Sequence, residues 1–558
     1  MIGPLMKRKR YGFIILLWIL LCLPRNGAGA ILEQMAVDTR ASSLGNAVTA
    51  DPQGPIAVHY NPAGLDRIKG TEFDMTIFYV PVLNIKGHFT QAIDPATGKL
   101  WAPFGGWFNH GIDPEAGKDS STEARIVLPF IGNIPIISPS NSFAHHSEGS
   151  PFAYGVAIYA PEAGGMEHTD PNDPYRFLGQ DTSILRLVVG PGVSYRVTRN
   201  LSIGASIGLG QSYMAFNTRM RTPNDLVAMT GALGEATKGL EIPIISELTL
   251  PAPWFGGGLS PYDDAGGLKF FARDVLNTSY NVGFLWDPFS WVSFGGVYQS
   301  AATADMKGPY TFYYSPHMQR MINWLGSSPL TIVVASILGL PISCPAEESG
   351  NMSISIVYPQ RVQFGIKLQP HPRIKFLVDA SWADWAAWKS TDIVFDRTMK
   401  LLQLARLMGY QNGLTHLTMP NNFKDVWYLS YGLELRPFDP ITLRFGYEYR
   451  PTSVGDQYYG PITIGDMRFY SVGISIDHLP VPARKFKGFD GFQKQLLHPD
   501  HLDLSFTYMA SDYQVNYNKS KLFNSTTFTD VIYNPFAGLE YQQKTTAYFI
   551  SINQIFYF

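Results

Sequence analysis

The side chains with the most obvious reactive potential are His145 and His146, flanked by Ser140, Ser142 and Ser147. A serine beside an imidazole can become a nucleophile, and paired histidines can ligate a metal. Here neither a recognisable nucleophile motif nor a metal-ligand spacing surrounds them, so the cluster reads as a solvated loop rather than an enzyme centre. No nucleotide-binding or energy-coupling motif is evident, and no residue is assigned to catalysis, a cofactor or a metal. The other distinctive groups are greasy. The segment containing Met318 to Leu325 and Pro329 to Pro341 carries Leu330, Ile332, Val333, Val334, Ile337, Leu338 and Leu340, and Thr222 to Gly267 carries Ile242, Ile244, Ile245, Leu248, Leu250, Trp254 and Phe255. Apolar stretches in exposed loops are costly in water, so either these loops pack on each other or they capture hydrophobic solutes.

The elements that carry such loops alternate with period two. From Ile441 to Arg450 one face holds Ile441, Leu443, Phe445, Tyr447 and Tyr449, and the other Thr442, Arg444, Gly446, Glu448 and Arg450. The stretches 201–210, 427–436 and 502–511 behave alike. Each therefore predicts a strand with one wholly apolar face. A β-sandwich would also alternate, but these strands reach the roughly 9 to 11 residues that cross a bilayer at a tilt. Beyond residue 30 no run of about 20 apolar residues exists, which excludes helical spans. With 14% aromatic and 16% charged residues, the expectation is an all-β transmembrane antiparallel barrel.

The ends agree with export. Lys7 to Arg10 precede an apolar run, Phe13 to Leu23, and then Ala28-Gly29-Ala30, which predicts a cleavable signal over 1–30. Its removal takes five basic residues and changes the net charge from −2 to −7, which gives no reason to expect nucleic-acid binding. It also takes Cys22, leaving Cys344 without an internal disulfide partner. The last residues, Tyr548 to Phe558, alternate and stop on an aromatic side chain, as do barrel strands recognised by the assembly machinery.

About fourteen strands are predicted: 71–90, 126–137, 152–161, 182–197, 200–219, 270–288, 290–306, 352–370, 372–395, 425–437, 439–451, 467–478, 501–517 and 544–558. Connections after odd strands are mostly long, notably 220–269 and 306–351, and those after even strands are mostly tight turns. This asymmetry places both termini in the periplasm and the long loops outside the cell. Ser138 to Pro151 and Leu479 to Asp500 break the rule and read as elaborated periplasmic loops or as errors in the count nearby.

Residues 31–70 do not alternate and are rich in Gly, Pro, Asn and small side chains, which predicts a compact plug inside the lumen ahead of the barrel, 71–558. Its stretches Ala41-Ser42-Ser43-Leu44-Gly45-Asn46-Ala47 and Ala57 to Leu65, with Asn61-Pro62-Ala63 at the centre, resemble the hatch of the long-chain fatty acid outer-membrane transporter (FadL/OmpP1/TodX) family. Trp382-Ala383-Asp384-Trp385, Leu443 to Tyr449 and Asp466 to Gly473 resemble its later strands, so the likeness runs over nearly the whole chain. Asp51-Pro52-Gln53-Gly54-Pro55 departs from the family's short acidic and alanine-rich stretch, and several loops are enlarged.

The resemblance implies transport of long-chain fatty acids or aromatic hydrocarbons across the outer membrane of a Gram-negative bacterium: capture at outer loops, binding in the lumen, release when the plug rearranges. Ile31 and Leu32 are the candidate tip of that plug, Asn61, Pro62 and Ala63 its geometry, and Leu330, Ile337 and Leu338 candidate solute contacts. For a carboxylated solute, Arg219 and Arg221 are the candidate basic partners, although lumenal arginines commonly pair with acids such as Glu434 or Glu448. The expected partners are the hydrophobic solute, outer-membrane lipid with lipopolysaccharide, and the barrel-assembly machinery during insertion, with the chain acting as a monomer. A general porin, and then an outer-membrane enzyme, are the alternatives.

Overall fold

The computed structural model describes residues 33–34, 37–100, 111–128, 132–240, 242–245, 248–408, 410, 412–455, 465–477, 499–517 and 534–558. The signal segment 1–30, the plug-tip candidates Ile31 and Leu32, and nearly all of the linker 479–500 lie outside these residues.

Fourteen antiparallel strands form the wall. They are β1 (Gly70–Gln91), β2 (Ile136–His146), β3 (Phe152–Glu167), β4 (Asp181–Thr198), β5 (Leu201–Met220) and β6 (Gly266–Phe289), then β7 (Val292–Gln299 continued by Ala302–Tyr314), β8 (Glu347–Tyr358 continued by Arg361–His371), β9 (Ile374–Ala383 continued by Ser390–Phe395), β10 (His416–Pro420 continued by Val426–Phe438), β11 (Ile441–Arg450), β12 (Asp466–Asp477), β13 (His501–Val515) and β14 (Leu539–Tyr557). β1 pairs with β14 from Glu72 opposite Tyr557 to Gln91 opposite Leu539 and closes the barrel. Closure pairs edge amides and carbonyls that lipid could not solvate.

The second strand corrects the sequence reading. It runs over Ile136–His146, whereas 126–128 and 132–134 pair as a separate hairpin before it. The run Ser138-Pro139-Ser140-Asn141-Ser142 has the composition of a loop, yet its three serines are the buried inward positions of the strand. His145 and His146 therefore belong to the wall: His145 meets the Thr71 and Ser147 hydroxyls, and His146 the carbonyls of Ile68 and Ser150. The turn to β3 shrinks to 147–151 and joins the other tight turns.

Wall polarity changes with height. In the lower half, near the tight turns, outward residues such as Ile207 and Trp427 are more than half exposed, and inward ones are polar or small, for example Asp74, Thr76, Ser202 and Ser206. In the upper half the inward series becomes Leu83, Ile85 and Phe89 on β1, Phe270 and Leu268 on β6, and Ala304, Met306, Tyr310 and Phe312 on β7. The outward series of upper β7 is Thr303, Asp305 and Lys307, all exposed. Register shifts at Tyr79/Val82, Tyr159/Glu162 and Asp274/Asn277, with the breaks in β7 to β10, accompany the change. Across Ser300-Ala301 the successive inward residues Gln299 and Ala302 are three apart instead of two, so one extra residue shifts the alternation and it restarts with the opposite face inward.

Inside the lower half lies the chain from Val37 to Ile68. Its helices α1 (Thr39–Ser43) and α2 (Ala57–Tyr60), and the 3-10 turn Pro62–Arg67, are largely buried. Inward glycines make room for its backbone. A β-carbon on Gly204 would stand 2.3 Å from the Ala63 nitrogen, and one on Gly446 2.2 Å from the Gly45 nitrogen.

Candidate functional site

The inner segment is held at two levels. Asn61 caps the 3-10 turn by accepting from the Ala63 amide (3.2 Å), and its side-chain nitrogen donates to the carbonyls of Thr49 and of Phe284 on β6. Pro62 presets the first turn. The second level is ionic: buried Asp51 receives Arg40 at 2.8 Å and Arg67 at 2.7 Å from its own segment, and Lys367 of β8 and Lys375 of β9 at 3.4 Å each. Arg40 and Lys375 continue to Glu434, which meets Arg444 and through it Asp503. Burial alone would raise the pKa of Asp51, but Lys375, Arg40, Arg67 and Lys367 outweigh it and hold the carboxyl well below its ordinary value. Asp38, the N-cap of α1, is instead pushed up by burial to about 6.

Above this segment lies an inner cavity of about 120 Å³. Its walls are Leu83 and Ile85 of β1, Met214 of β5, Ile356 and Tyr358 of β8, Met509 of β13, and Trp385 and Trp388 at the break in β9. Glu162, Ala163, Gly164, Gly165 and Met166 of β3 complete one side. That side has a gap in its backbone ladder. The β2 to β3 pairing ends at Asn141 opposite Ile158, and the next partner on this edge of β3 is the short strand Glu123–Ala124, opposite Glu167 and Met166. Glu33 bridges to Glu162 from inside, and the Gln34 amide donates to the Pro161 carbonyl at 2.7 Å.

A second, apolar pocket of about 520 Å³ opens among the outer loops. It lies between α3 (Asp225–Ala236), the turn at Trp254–Gly257, α4 (Pro316–Trp324), α5 (Pro329–Leu338) and α6 (Lys400–Ala405). Pro at the first position of α5 and the Ser328/Thr331 capping box start that helix, and Gly339 in the left-handed region ends it. Leu330, Val334 and Leu338 line the pocket. Ile337 projects away from it and is 78% exposed.

The arginines at the outer end of β5, Arg219 within it and Arg221 just past it, part company. Arg221 is fully buried, with two nitrogens on Asp113 (2.8 and 2.9 Å) and the third on the Pro535 carbonyl, and the ring of Phe177 beneath it. Arg219 is half-exposed at the rim, 3.6 Å from Asp264. Neither meets Glu434 or Glu448; the latter pairs with Arg450. Sequence reasoning missed Trp388 and the β3 stretch 162–166, since a bulge at Pro161 interrupts the alternation that would have extended that strand.

A closed fourteen-strand barrel with a lipid-facing apolar belt, a filled lower lumen and an apolar upper conduit defines an outer-membrane channel for hydrophobic matter. Residues 24–479 match the family described as outer membrane protein transport protein (OMPP1/FadL/TodX), and the chain belongs to it. It is a transporter of hydrophobic compounds in the Gram-negative outer membrane, not a member of an enzyme family. Similar solved structures include a FadL homologue of Pseudomonas aeruginosa (16% identity, 96% of this chain and 100% of that one, TM-score 0.62). The toluene transporter TodX of P. putida is 14% identical over 94% of this chain and 99% of its own, with TM-score 0.56. The toluene transporter TbuX of Ralstonia pickettii is 15% identical over 94% and 100%, with TM-score 0.53. No curated protein matches the chain.

Proposed function

We propose that a hydrophobic solute is captured in the outer pocket, passes down the apolar upper lumen to the inner cavity, and leaves sideways through the gap between β2 and β3 when the segment carrying Glu33 and Gln34 moves. The inversion of wall polarity carries this reading. An aqueous pore needs a polar lumen throughout, whereas the upper half here turns its apolar face inward and its polar face outward. The 13 residues of upper β7, at roughly 3.3 Å each and a tilt of about 40°, raise the capture pocket about 30 Å above the strand break. The outer face of that extension stands among lipopolysaccharide, and the chain works as a monomer once the assembly machinery has inserted it. A carboxylated solute meets Arg219 at the rim, where the side chain is half-exposed beside Asp264, and cannot reach Arg221, which is fully buried on Asp113.

The exit is tested by Glu33→Cys with Glu162→Cys, which joins the inner segment to β3 at an antiparallel bridge, a spacing that suits a disulfide. Uptake of radiolabelled oleate and toluene is measured in cells lacking their own transporter. We expect the oxidised variant to lose most uptake of whichever solute the unmodified chain carries, and reduction to restore it. Full uptake with the disulfide formed would sink the lateral exit, and ion conductance without solute uptake would favour a porin.

A further inference from the structure

The inner cavity contains two donors that a purely hydrocarbon ligand leaves unused. β9 breaks after Ala383, and the chain makes a short 3-10 turn over Trp385–Ala387 before resuming at Ser390. Trp385 and Trp388 are thereby buried, 2% and 5% exposed, and both line the cavity. Phe423 meets both indoles edge to face, with ring centroids 6.2 and 5.6 Å away, which fixes their planes without supplying an oxygen. Among the described residues neither indole Nε1–H has a hydrogen-bond partner. Buried donors are nearly always paired, because an unmade bond forfeits the water it replaced. Two unpaired donors in the lining of one cavity point to an acceptor that arrives with the ligand.

The rest of the lining says which acceptor. Among the described residues Glu33 and Glu162 contribute to it, no lysine or arginine does, and its histidine, His168, is engaged by the Ser121 carbonyl and stands 3.6 Å from Asp173. Arg361 is paired with Glu33, and Arg186 stands 3.5 Å from Glu162. An anionic head would therefore meet carboxylates with no lysine or arginine in the lining to answer it and the one lining histidine already engaged. We propose that the inner cavity selects hydrophobic solutes with a neutral oxygen, such as an alcohol, ester or ketone, and that the Trp385 and Trp388 indole N–H groups donate to that oxygen. Its volume of about 120 Å³ takes an apolar group of roughly benzene size, about six heavy atoms, so the oxygen-bearing end of a longer solute sits here and its tail lies in the apolar lumen above. The inference rests on reading this cavity as a station on the transport path.

The test compares binding of 1-decanol, decane and decanoate to the protein in lipid nanodiscs, with empty nanodiscs subtracted, for the unmodified chain, Trp385→Phe, Trp388→Phe and the double variant. Phenylalanine keeps an aromatic body and removes the donor. We expect decanol to bind most tightly, each single variant to weaken it about three- to tenfold, and decane to be unaffected, which also reports an intact fold. In the unmodified chain the indole Raman band sensitive to N–H hydrogen bonding should shift with decanol and not with decane; this reading stands even where a variant fails to fold. Equal binding of decanol and decane, tightest binding of decanoate, or an unmoved Raman band overturns the selectivity and leaves the station intact. If none of the three binds, the cavity is not a station and both readings fall.

Discussion

The lower and upper halves of the barrel use the same alternating strands to opposite ends. Below the bulges and breaks, the wall turns apolar side chains to lipid and encloses a polar lumen that the segment Val37 to Ile68 fills with hydrogen bonds and ion pairs. Above them it turns polar side chains outward and encloses Leu83, Met306, Phe312 and Ile354. One half is thus a membrane protein with a sealed interior, the other a soluble tube with a greasy one. The outer boundary of the membrane follows as the height at which the outward face loses its apolar character. A solute that prefers oil to water finds a continuous apolar route only above that height, and the lateral gap at β3 beside the inner cavity is where such a route can rejoin lipid.

The strongest way to break this division is to unseat the lower lumen. Asp51→Asn keeps the shape but removes the charge shared by four cations, and among the described residues Asp51 is the one carboxylate within 4 Å of Lys367. Leaving a buried cation uncompensated costs about 3–5 kcal/mol, measured as denaturant unfolding of the lipid-refolded protein. The stabilisation from Asp51 is fully present above the ordinary carboxylate pKa of 3.8 and is lost only as acid drives the pH down through its depressed folded value. Asp38 behaves in the opposite sense. Its favourable contribution is fully present below pH 3.8 and is lost as pH rises through about 6, so stability should fall between about pH 4 and 6 and level off above, and do so less in Asp38→Asn. A stability curve flat from about pH 4 to 7 would mean that Asp38 is not held in its raised state, and an Asp51→Asn variant as stable as the unmodified chain would mean that Asp51 does not seat the segment.

The boundary itself is sharpened by placing one charge at two heights on the outer face. Ile207→Arg puts a guanidinium in the lower belt, where lipid exposure costs about 2–4 kcal/mol, whereas Thr303→Arg above the break should cost no more than about 1 kcal/mol. Equal costs would remove the boundary drawn here.

Much of this was legible before any coordinates. The apolar faces of 201–210, 427–436 and 502–511 are the outward faces, because period two follows directly from strand geometry. The number of strands was legible for the same reason. Residues 136–146 were not, since inward serines next to a proline resemble a turn unless the plug that covers them is known. The breaks at 300–301 and 359–360 were read through, because two residues of changed parity look like noise in an alternation. At the site, Leu330 and Leu338 stood out as apolar residues in a loop, but the sequence could not say that Ile337, a single step along the same helix, faces the other way. Arg221 was visible as a lumenal arginine, while Asp113, 108 positions away, becomes its partner only through the fold.

The smallest effect probes the upper conduit without touching stability. Met306 is fully buried and faces inward opposite Ile354, and its neighbour Asp305 faces out. Met306→Lys places an ammonium in the apolar tube, where the flexible stem can carry the charge towards the open mouth, so the barrel should still fold. The solute then passes a solvated charge instead of a methylene surface, and we expect uptake to fall about tenfold, equivalent to roughly 1.4 kcal/mol on the path. Asp305→Lys makes a larger change in charge one residue away, on the polar outer face, and should leave uptake unchanged. If both variants transport normally, solutes do not travel through the upper lumen. If both fail, charge near the mouth matters in itself and the inward face carries no special role. Only loss at 306 with retention at 305 ties transport to the polarity that the break in β7 reverses.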